Sequence, residues 1–171
     1  MPDSLTEPEP EPEPELQLLH ADHAPALLAF EEANRAYFAA SVPDRGDAYF
    51  RDFDARHAAL LAEQDEGVCH FHVLVDDGGE IVGRMNLVDV ADGGAELGYR
   101  IAEKAAGRGL ATRAVRQVCD LAVTAYGLTR LRAATTLDNP GSHAVLTRTG
   151  FVPRGDIVLD GRPGTRYTLT L

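Results

Sequence analysis

The sequence predicts an α/β (α+β) domain: a mixed, mostly antiparallel central sheet of about seven strands flanked by about four helices. Three observations point there. Short runs that alternate apolar and polar residues recur along the chain, bounded by Gly, Asp or Pro. Between them lie segments whose apolar residues step by three and four, the spacing of one helix face. The two kinds of segment interleave in the order β-α-α-β-β-β-α-β-α-β-β, which calls for helices packed on a sheet.

Each element has its own signal. Leu16 to His20 reads as a short strand. Asp22 opens a helical pattern through Leu27, Leu28, Phe30 and Ala33, with an acid at the favourable N-terminal end. After Val42-Pro43 a second helix runs through Tyr49, Phe50, Phe53, His57, Leu60 and Leu61. Val68 to Val75 alternates, Asp76-Asp77-Gly78-Gly79 turns, and Ile81 to Val90 returns as its partner. Asp92-Gly93-Gly94 turns again into Ala95 to Ala102. A long helix follows, with Ala111, Val115, Val118, Ala122 and Tyr126 as its inner stripe and Gly127 as its stop. Leu131 to Leu137 is a strand, and Asp138-Asn139-Pro140 starts a short helix ending near Gly150. Phe151 to Leu159 and Arg166 to Leu171 form a closing hairpin around Asp160 to Gly164.

Length and composition narrow the function. The chain has 171 residues, the size of one domain, and a net charge of −11 from 27 acids against 16 Lys and Arg. Such a balance argues against nucleic acid as the partner, because affinity for phosphate backbones comes from neutralisation by Lys and Arg. No apolar run approaches the roughly 20 residues of a membrane span, and the N-terminus lacks a signal-peptide pattern. Cys69 and Cys119 each fall within regular structure, so no disulfide framework is expected. These readings make a cytoplasmic protein the expectation. Residues 1–15 stand apart: Glu7 to Glu15 alternates Glu and Pro, and this segment holds six acids and no base. It reads as a disordered, solubilising tail, or as an acidic arm for a basic partner, ahead of a domain spanning residues 16–171.

The sharpest chemical signal is Gly107-Arg108-Gly109-Leu110-Ala111-Thr112, placed between a strand and the long helix. Two glycines one residue apart let the main chain approach a ligand and turn N–H groups inward. The helix start adds unpaired donors and a positive dipole end, and Arg108 adds a full charge. Together they form a device for a phosphate or diphosphate, although a Gly-x-Gly turn also serves as a plain tight loop. A Walker loop would need Gly-Lys-Ser/Thr, which is absent, and a dinucleotide fingerprint would need a third glycine where Thr112 stands.

These residues resemble the GNAT superfamily of acetyl-coenzyme A-dependent N-acetyltransferases, and more narrowly its RimJ/RimL-like branch, which acetylates ribosomal-protein N-terminal amines. The family loop is Gln/Arg-x-x-Gly-x-Gly/Ala. Ala106 to Ala111 supplies Gly109 and Ala111 and departs at Ala106. The branch's Gly-Tyr strand is matched by Glu96-Leu97-Gly98-Tyr99-Arg100-Ile101. Its Asn-x-x-Ser and Leu-x-x-x-Gly-Phe elements are matched by Asn139 to Ser142 and by Leu146 to Phe151. The resemblance implies that the main chain of Tyr99, Arg100 and Ile101 pairs with the pantetheine arm of acetyl-CoA like an added strand. It further implies that Gly107, Arg108, Gly109, Leu110, Ala111 and Thr112 hold the diphosphate. Asn139 and Ser142 then contact the cofactor, and Asn139 also caps the helix that Pro140 begins. Ala106 removes one phosphate contact and leaves the main-chain donors.

Transfer to an amine sets further demands. The amine attacks only when neutral, so its proton needs an acceptor. The oxyanion needs a donor, most directly a main-chain N–H of the strand before the loop. Glu96 is the candidate base, on the strand face shared with Gly98 and Arg100; the alternative is a surface Glu paired with Arg100. Other members carry a Glu where Ala134 stands and a Tyr acid where Leu146 stands, so the acid role falls to Ser142, whose hydroxyl could instead only bind the cofactor sulfur. His70 and His72 share a strand face but lack a third ligand, so no metal is expected. Cys119 falls beside the helix stripe as a core residue. Tyr37, Phe38, Tyr49, Phe50 and Arg51 lie where the family builds its acceptor pocket. The expected partners are acetyl-CoA and a primary amine, either a protein N-terminal α-amine or a small molecule, with the acidic body favouring a cationic acceptor. The alternative is a non-catalytic acyl-CoA-binding or regulatory module that kept the fold. The residues set no oligomeric state; members of this branch often pair through the sheet or its flanking helices, which admits a homodimer.

Overall fold

The computed structural model describes Pro8 and residues 12–171. Seven strands form one sheet: β1 (Glu15–Leu18), β2 (His70–Val75), β3 (Ile81–Ala91), β4 (Gly94–Ile101), β5 (Arg130–Thr136), β6 (Val152–Leu159) and β7 (Arg162–Thr170). Six helices accompany them among the described residues: α1 (Ala24–Ala33), α2 (Arg35–Ala39), α3 (Asp47–Arg51), α4 (Phe53–Asp65), α5 (Leu110–Thr124) and α6 (Pro140–Arg148). Short 3-10 turns precede α1 and α5. The strand order is β1-β2-β3-β4-β5-β7-β6. All neighbours are antiparallel except β4 and β5, whose parallel pairing needs the crossover that α5 supplies.

Registers assign the two faces of the sheet. Arg84 of β3 reaches Glu31 of α1, so Arg84 and its partners Val73 and Arg100 face the first helices. The next residue, Met85, pairs with His72 and Tyr99 and faces α5. The core lies on both sides: Leu27, Phe30 and Phe53 under one face, Val115, Val118 and Ala122 under the other, all buried. The inner stripe of α5 starts at Leu110 and includes Thr112, 8% exposed. Cys119 is half-buried beside that stripe and Cys69 is buried; both are free thiols, and burial pushes each up to about 11.

The four expected helices become six for local reasons. Asn34 ends α1 with φ −106° and ψ 8°; its Nδ2 donates to the Phe30 carbonyl (2.9 Å), while its Oδ1 accepts from the Glu103 N–H (3.0 Å). A side chain that bonds nearby main chain competes with helix continuation. Asp52, at φ −102°, separates α3 from α4 in the same way as Asn34 separates α1 from α2, by leaving the helical region. The closing hairpin is tighter than expected. Asp160 (φ 50°) and Gly161 (φ 77°) make a two-residue turn, so β7 begins at Arg162 rather than Arg166. Gly164 then lies so close to β5 that a Cβ would stand 2.6 Å from the Thr135 carbonyl oxygen.

The boundary of the acidic segment also moves. Residues 1–7 and 9–11 of the expected disordered tail lie outside the described residues. Glu13 forms an ion pair with Arg113 at 2.7 Å, and Glu15 already belongs to β1, paired with Val75. No helix among the described residues is long and apolar enough to cross a membrane.

Candidate functional site

The site begins where β4 and β5 part. They pair at Gly94 with Arg130, Ala95 with Leu131 and Glu96 with Arg132, and then stop. Beyond that point β4 stays with β3 as far as Ile101, while β5 stays with β7 as far as Thr136. The two halves of the sheet therefore diverge and leave a wedge. Main-chain groups along a strand point alternately to its two sides. The Ala102 N–H donates to the Val82 carbonyl (2.9 Å), and the Arg100 carbonyl lies against Gly83, so both face β3. Tyr99 and Ile101 thus direct their N–H and C=O into the wedge, whereas Arg100 contributes its side chain there.

Two cavities fill the wedge. The one on the α5 side, about 390 Å³, contains Tyr99, Arg100, Ile101, Gly107, Gly109, Leu110, Ala111, Thr112, Asn139 and Ser142 in its wall. Ten of the eleven residues expected to hold the cofactor are thereby brought together; Arg108 is the exception, and turns instead to the Lys104 carbonyl. Gly107 (φ 76°) and Gly109 (φ 75°) adopt the left-handed conformation that the sharp turn into α5 requires. Gly109 is the N-cap and has no side chain to offer, and the first helical bond runs from the Arg113 N–H to the Gly109 carbonyl (3.1 Å). The N–H groups of Leu110, Ala111 and Thr112 are left as donors for an anion, at the positive end of a 15-residue helix.

The second cavity, about 330 Å³, opens on the face toward the first helices and is walled by Asn86, Gly98, Arg100, Thr135, Thr136 and the Ser41–Pro43 segment, among others. The two cavities meet at Ser41, Val42, Tyr99, Arg100, Asn139 and Ser142. At that junction the Tyr99 hydroxyl lies 3.1 Å from Ser142 Oγ. Burial raises the Tyr99 phenol above its ordinary value, and the bond to Ser142 only partly opposes this, so the hydroxyl keeps its proton near neutral pH. Asn139 Oδ1 accepts from the Ser142 N–H (3.2 Å), which is the cap expected for α6.

Glu96 is placed differently from the pairing weighed in the sequence. It is the last residue of the β4–β5 ladder, on the same face as Gly98 and Arg100, but outside the walls of both cavities. Its carboxylate faces Arg132 at 3.9 Å, and Arg100 pairs instead with Glu31 (3.3 Å). His70 and His72 do share a face, and both pack on α5's end: His70 stacks on Tyr126 at 3.6 Å, and His72 Nε2 lies 2.5 Å from the Tyr126 hydroxyl. His72 Nδ1 is taken by the Met85 carbonyl (3.3 Å), so neither ring nitrogen is open to a metal. Of the aromatics before the loop, Tyr37 and Phe38 wall the α5-side cavity, while Tyr49 is buried in the core. Leu146 is buried, and Ala134 lies in the second cavity's wall without a charge.

Sequence reasoning missed Asn86, the Tyr99 hydroxyl, Arg148 and the Ser41–Pro43 segment. Asn86 carries a buried Oδ1 with no partner; nothing in the sequence set it apart from the other polar residues of β3, Arg84 and Asp89. Arg148, at the C-terminal end of α6, walls the α5-side cavity.

The family model described as acetyltransferase (GNAT) domain matches residues 15–152. An uncharacterized N-acetyltransferase p20 of Bacillus licheniformis is 30% identical over 87 residues, which is 50% of this chain and 49% of that protein. The match thus spans about half the length of that relative. Among solved structures, the ribosomal-protein-S5-alanine acetyltransferase of Vibrio fischeri has a TM-score of 0.84 and 23% identity, covering 91% of each chain. RimJ of Mycobacterium smegmatis, in complex with CoA-disulfide, has a TM-score of 0.82 and 26% identity, covering 91% of this chain and 80% of that one.

Proposed function

Because the chain belongs to the GNAT acetyltransferase family, we propose that it moves an acetyl group from acetyl-CoA to a primary amine by direct attack. The observation that carries this reading is the wedge itself: two adjoining cavities, one at the Leu110–Thr112 donors and one at Gly98, share the Tyr99–Ser142 pair in their walls. A donor and an acceptor can therefore enter from opposite faces of the sheet and meet. The Mycobacterium smegmatis RimJ structure is a complex with CoA-disulfide, which supports the same ligand here.

Acetyl-CoA supplies the activated acyl group; the protein's residues position and relieve charge. The N–H groups of Leu110, Ala111 and Thr112 hold the diphosphate. Tyr99 and Ile101 offer main-chain hydrogen bonds to the pantetheine arm, as an added strand would find them. Asn139 fixes Ser142 by its cap, and Ser142 with Tyr99 delivers a proton to the departing sulfur. On the other side, Asn86 Oδ1 accepts an N–H of the incoming amine at Gly98, where no side chain intervenes. Glu96 takes the amine's proton through water, two positions below Gly98 on the same face.

A panel of amines assayed for free-thiol release, with product masses, tests the reading. Turnover of at least one amine class with a mass gain of one acetyl group is expected. Cofactor binding with only background thiol release for every amine would contradict it and leave a non-catalytic binding module.

A further inference from the structure

Glu31 is a buried carboxylate, 1% exposed, and three guanidinium groups converge on it. Arg84 Nη1 lies 2.8 Å from Oε1, Arg45 Nη2 lies 3.0 Å from Oε1, and Arg100 Nη1 lies 3.3 Å from Oε2. Burial alone would raise the Glu31 carboxyl, but Arg45 and Arg84 overcome that and hold it below the usual range. One negative charge thus faces three positive ones. The surroundings restore the balance only in part: Asp44 and Asp47 share Arg35, and the four guanidinium groups still outnumber the three carboxylates. The surplus is felt at Arg100, where burial and the neighbouring Arg45 disfavour the charged form.

Arg100 is also the member of this group that walls the acceptor cavity. Its 3.3 Å bond to Glu31 is the only side-chain hydrogen bond it makes among the described residues, and its side chain is 22% exposed. The guanidinium also stands over the Phe38 ring, 5.0 Å from its centroid, and its remaining N–H donors have no hydrogen-bond partner among the described residues. The other charges of that cavity do not compete. Arg162 is tied to Asp138, and Asp160 sits exposed on the β6–β7 turn at the rim. Asn86 Oδ1, buried and unpartnered, stands across from Gly98, one step along the same face from Arg100. The cavity is locally positive although the chain carries −11.

We propose that Arg100, backed by the surplus charge around Glu31, selects acceptors that carry a carboxylate within a few bonds of the amine. The carboxylate meets Arg100 while the amine meets Asn86 Oδ1. This inference rests on the acetyltransferase reading and reverses the cationic acceptor expected from net charge. Such a carboxylate occurs in a free amino acid and in the first residue of an acidic peptide.

The test compares matched pairs: free amino acids against their carboxamides, and Glu-initiated against Gln-initiated peptide amides. The wild-type protein is expected to favour the carboxylate member of at least one pair by tenfold or more in kcat/KM. The first pair reports a free amino acid as the source, the second a peptide terminus. Arg100→Gln should bring that ratio close to one, and Arg45→Gln should lower it by severalfold. Should Arg100→Gln fail to fold, succinate is the second probe: it should raise the acceptor KM of the wild type and leave the acetyl-CoA KM unchanged. Ratios within twofold for every pair, or a preference for diamines, would overturn the proposal while the acetyltransferase reading stands. Absence of transfer to any amine would instead strike the reading beneath it.

Discussion

The Tyr99 hydroxyl and the Ser142 Oγ lie 3.1 Å apart and join β4, on one side of the wedge, to α6 on the other. Neither residue alone explains the placement. Tyr99 reaches the junction because its side chain shares the α5 face with Leu97 and Ile101, and Ser142 is held there by the Asn139 cap. The pair is the proton donor of the proposed reaction. Tyr99→Phe is expected to lower kcat by about 100-fold or more, the range of a lost general acid. Acetyl-CoA affinity should change little, because the main chain of Tyr99 is untouched. Steady-state kinetics with a separate binding titration checks this split.

Gly109→Ala places a Cβ at φ 75° and 3.1 Å from Arg113 Nη1. The left-handed conformation alone costs about 1–2 kcal/mol for a residue with a Cβ. The variant should melt lower and bind acetyl-CoA more weakly. Gly107→Ala carries the same backbone strain, but its Cβ meets nothing within 4 Å. Thermal melts and binding titrations should therefore rank Gly109→Ala as the more damaged of the two.

Ala106 walls the α5-side cavity, the proposed acetyl-CoA site, beside the donor turn. Ala106→Arg restores a side chain that the family motif carries there. One added charge-assisted contact of about 1 kcal/mol should lower the acetyl-CoA KM by about fivefold and leave the acceptor KM unchanged.

His72 gives the fold an acid-sensitive point. It is 2% exposed, and burial pushes its imidazole down to about 4. The folded value lies below the unfolded one of about 6.5, so the unfolded chain binds the proton first. Stability is then complete above about pH 6.5 and declines as pH falls toward 4, by up to about 3 kcal/mol. Glu31 acts in the same direction at lower pH: its depressed carboxyl stabilises the fold above about pH 4.3, and that contribution fades as acid protonates it. Denaturant titrations between pH 4 and pH 7 should show the His72 slope, and His72→Gln should flatten it.

What the sequence made legible follows from local chemistry. The order of strands and the start of α5 follow from period-two runs and glycine turns, and Gly107, Gly109 to Thr112, Asn139 and Ser142 meet around one cavity because each belongs to a short motif with a fixed conformation. The proposed acceptor side was not legible, for a physical reason. Glu31, Arg45, Arg84 and Arg100 come from α1, the α2–α3 connection, β3 and β4, and nothing in their spacing marks them as one group. Nothing in the run Ile81 to Val90 marks Arg84 as buried, yet it is 3% exposed. Glu96 shows the converse limit: strand alternation identified its face, but only the end of the β4–β5 ladder shows that Arg132, and not Arg100, faces its carboxylate. The breaks at Asn34 and Asp52 were hidden because helix periodicity continues across them.

The central claim is that the wedge between β4 and β5 seats the cofactor with its sulfur at the Tyr99–Ser142 junction. A crystal structure of the protein with coenzyme A measures this directly. The expected result is the diphosphate on the Leu110–Thr112 amides, the pantetheine arm bonded to the main chain of Tyr99 and Ile101, and the sulfur beside Ser142. Coenzyme A bound outside the wedge, or a wedge closed by β4–β5 pairing beyond Glu96 and Arg132, would contradict it.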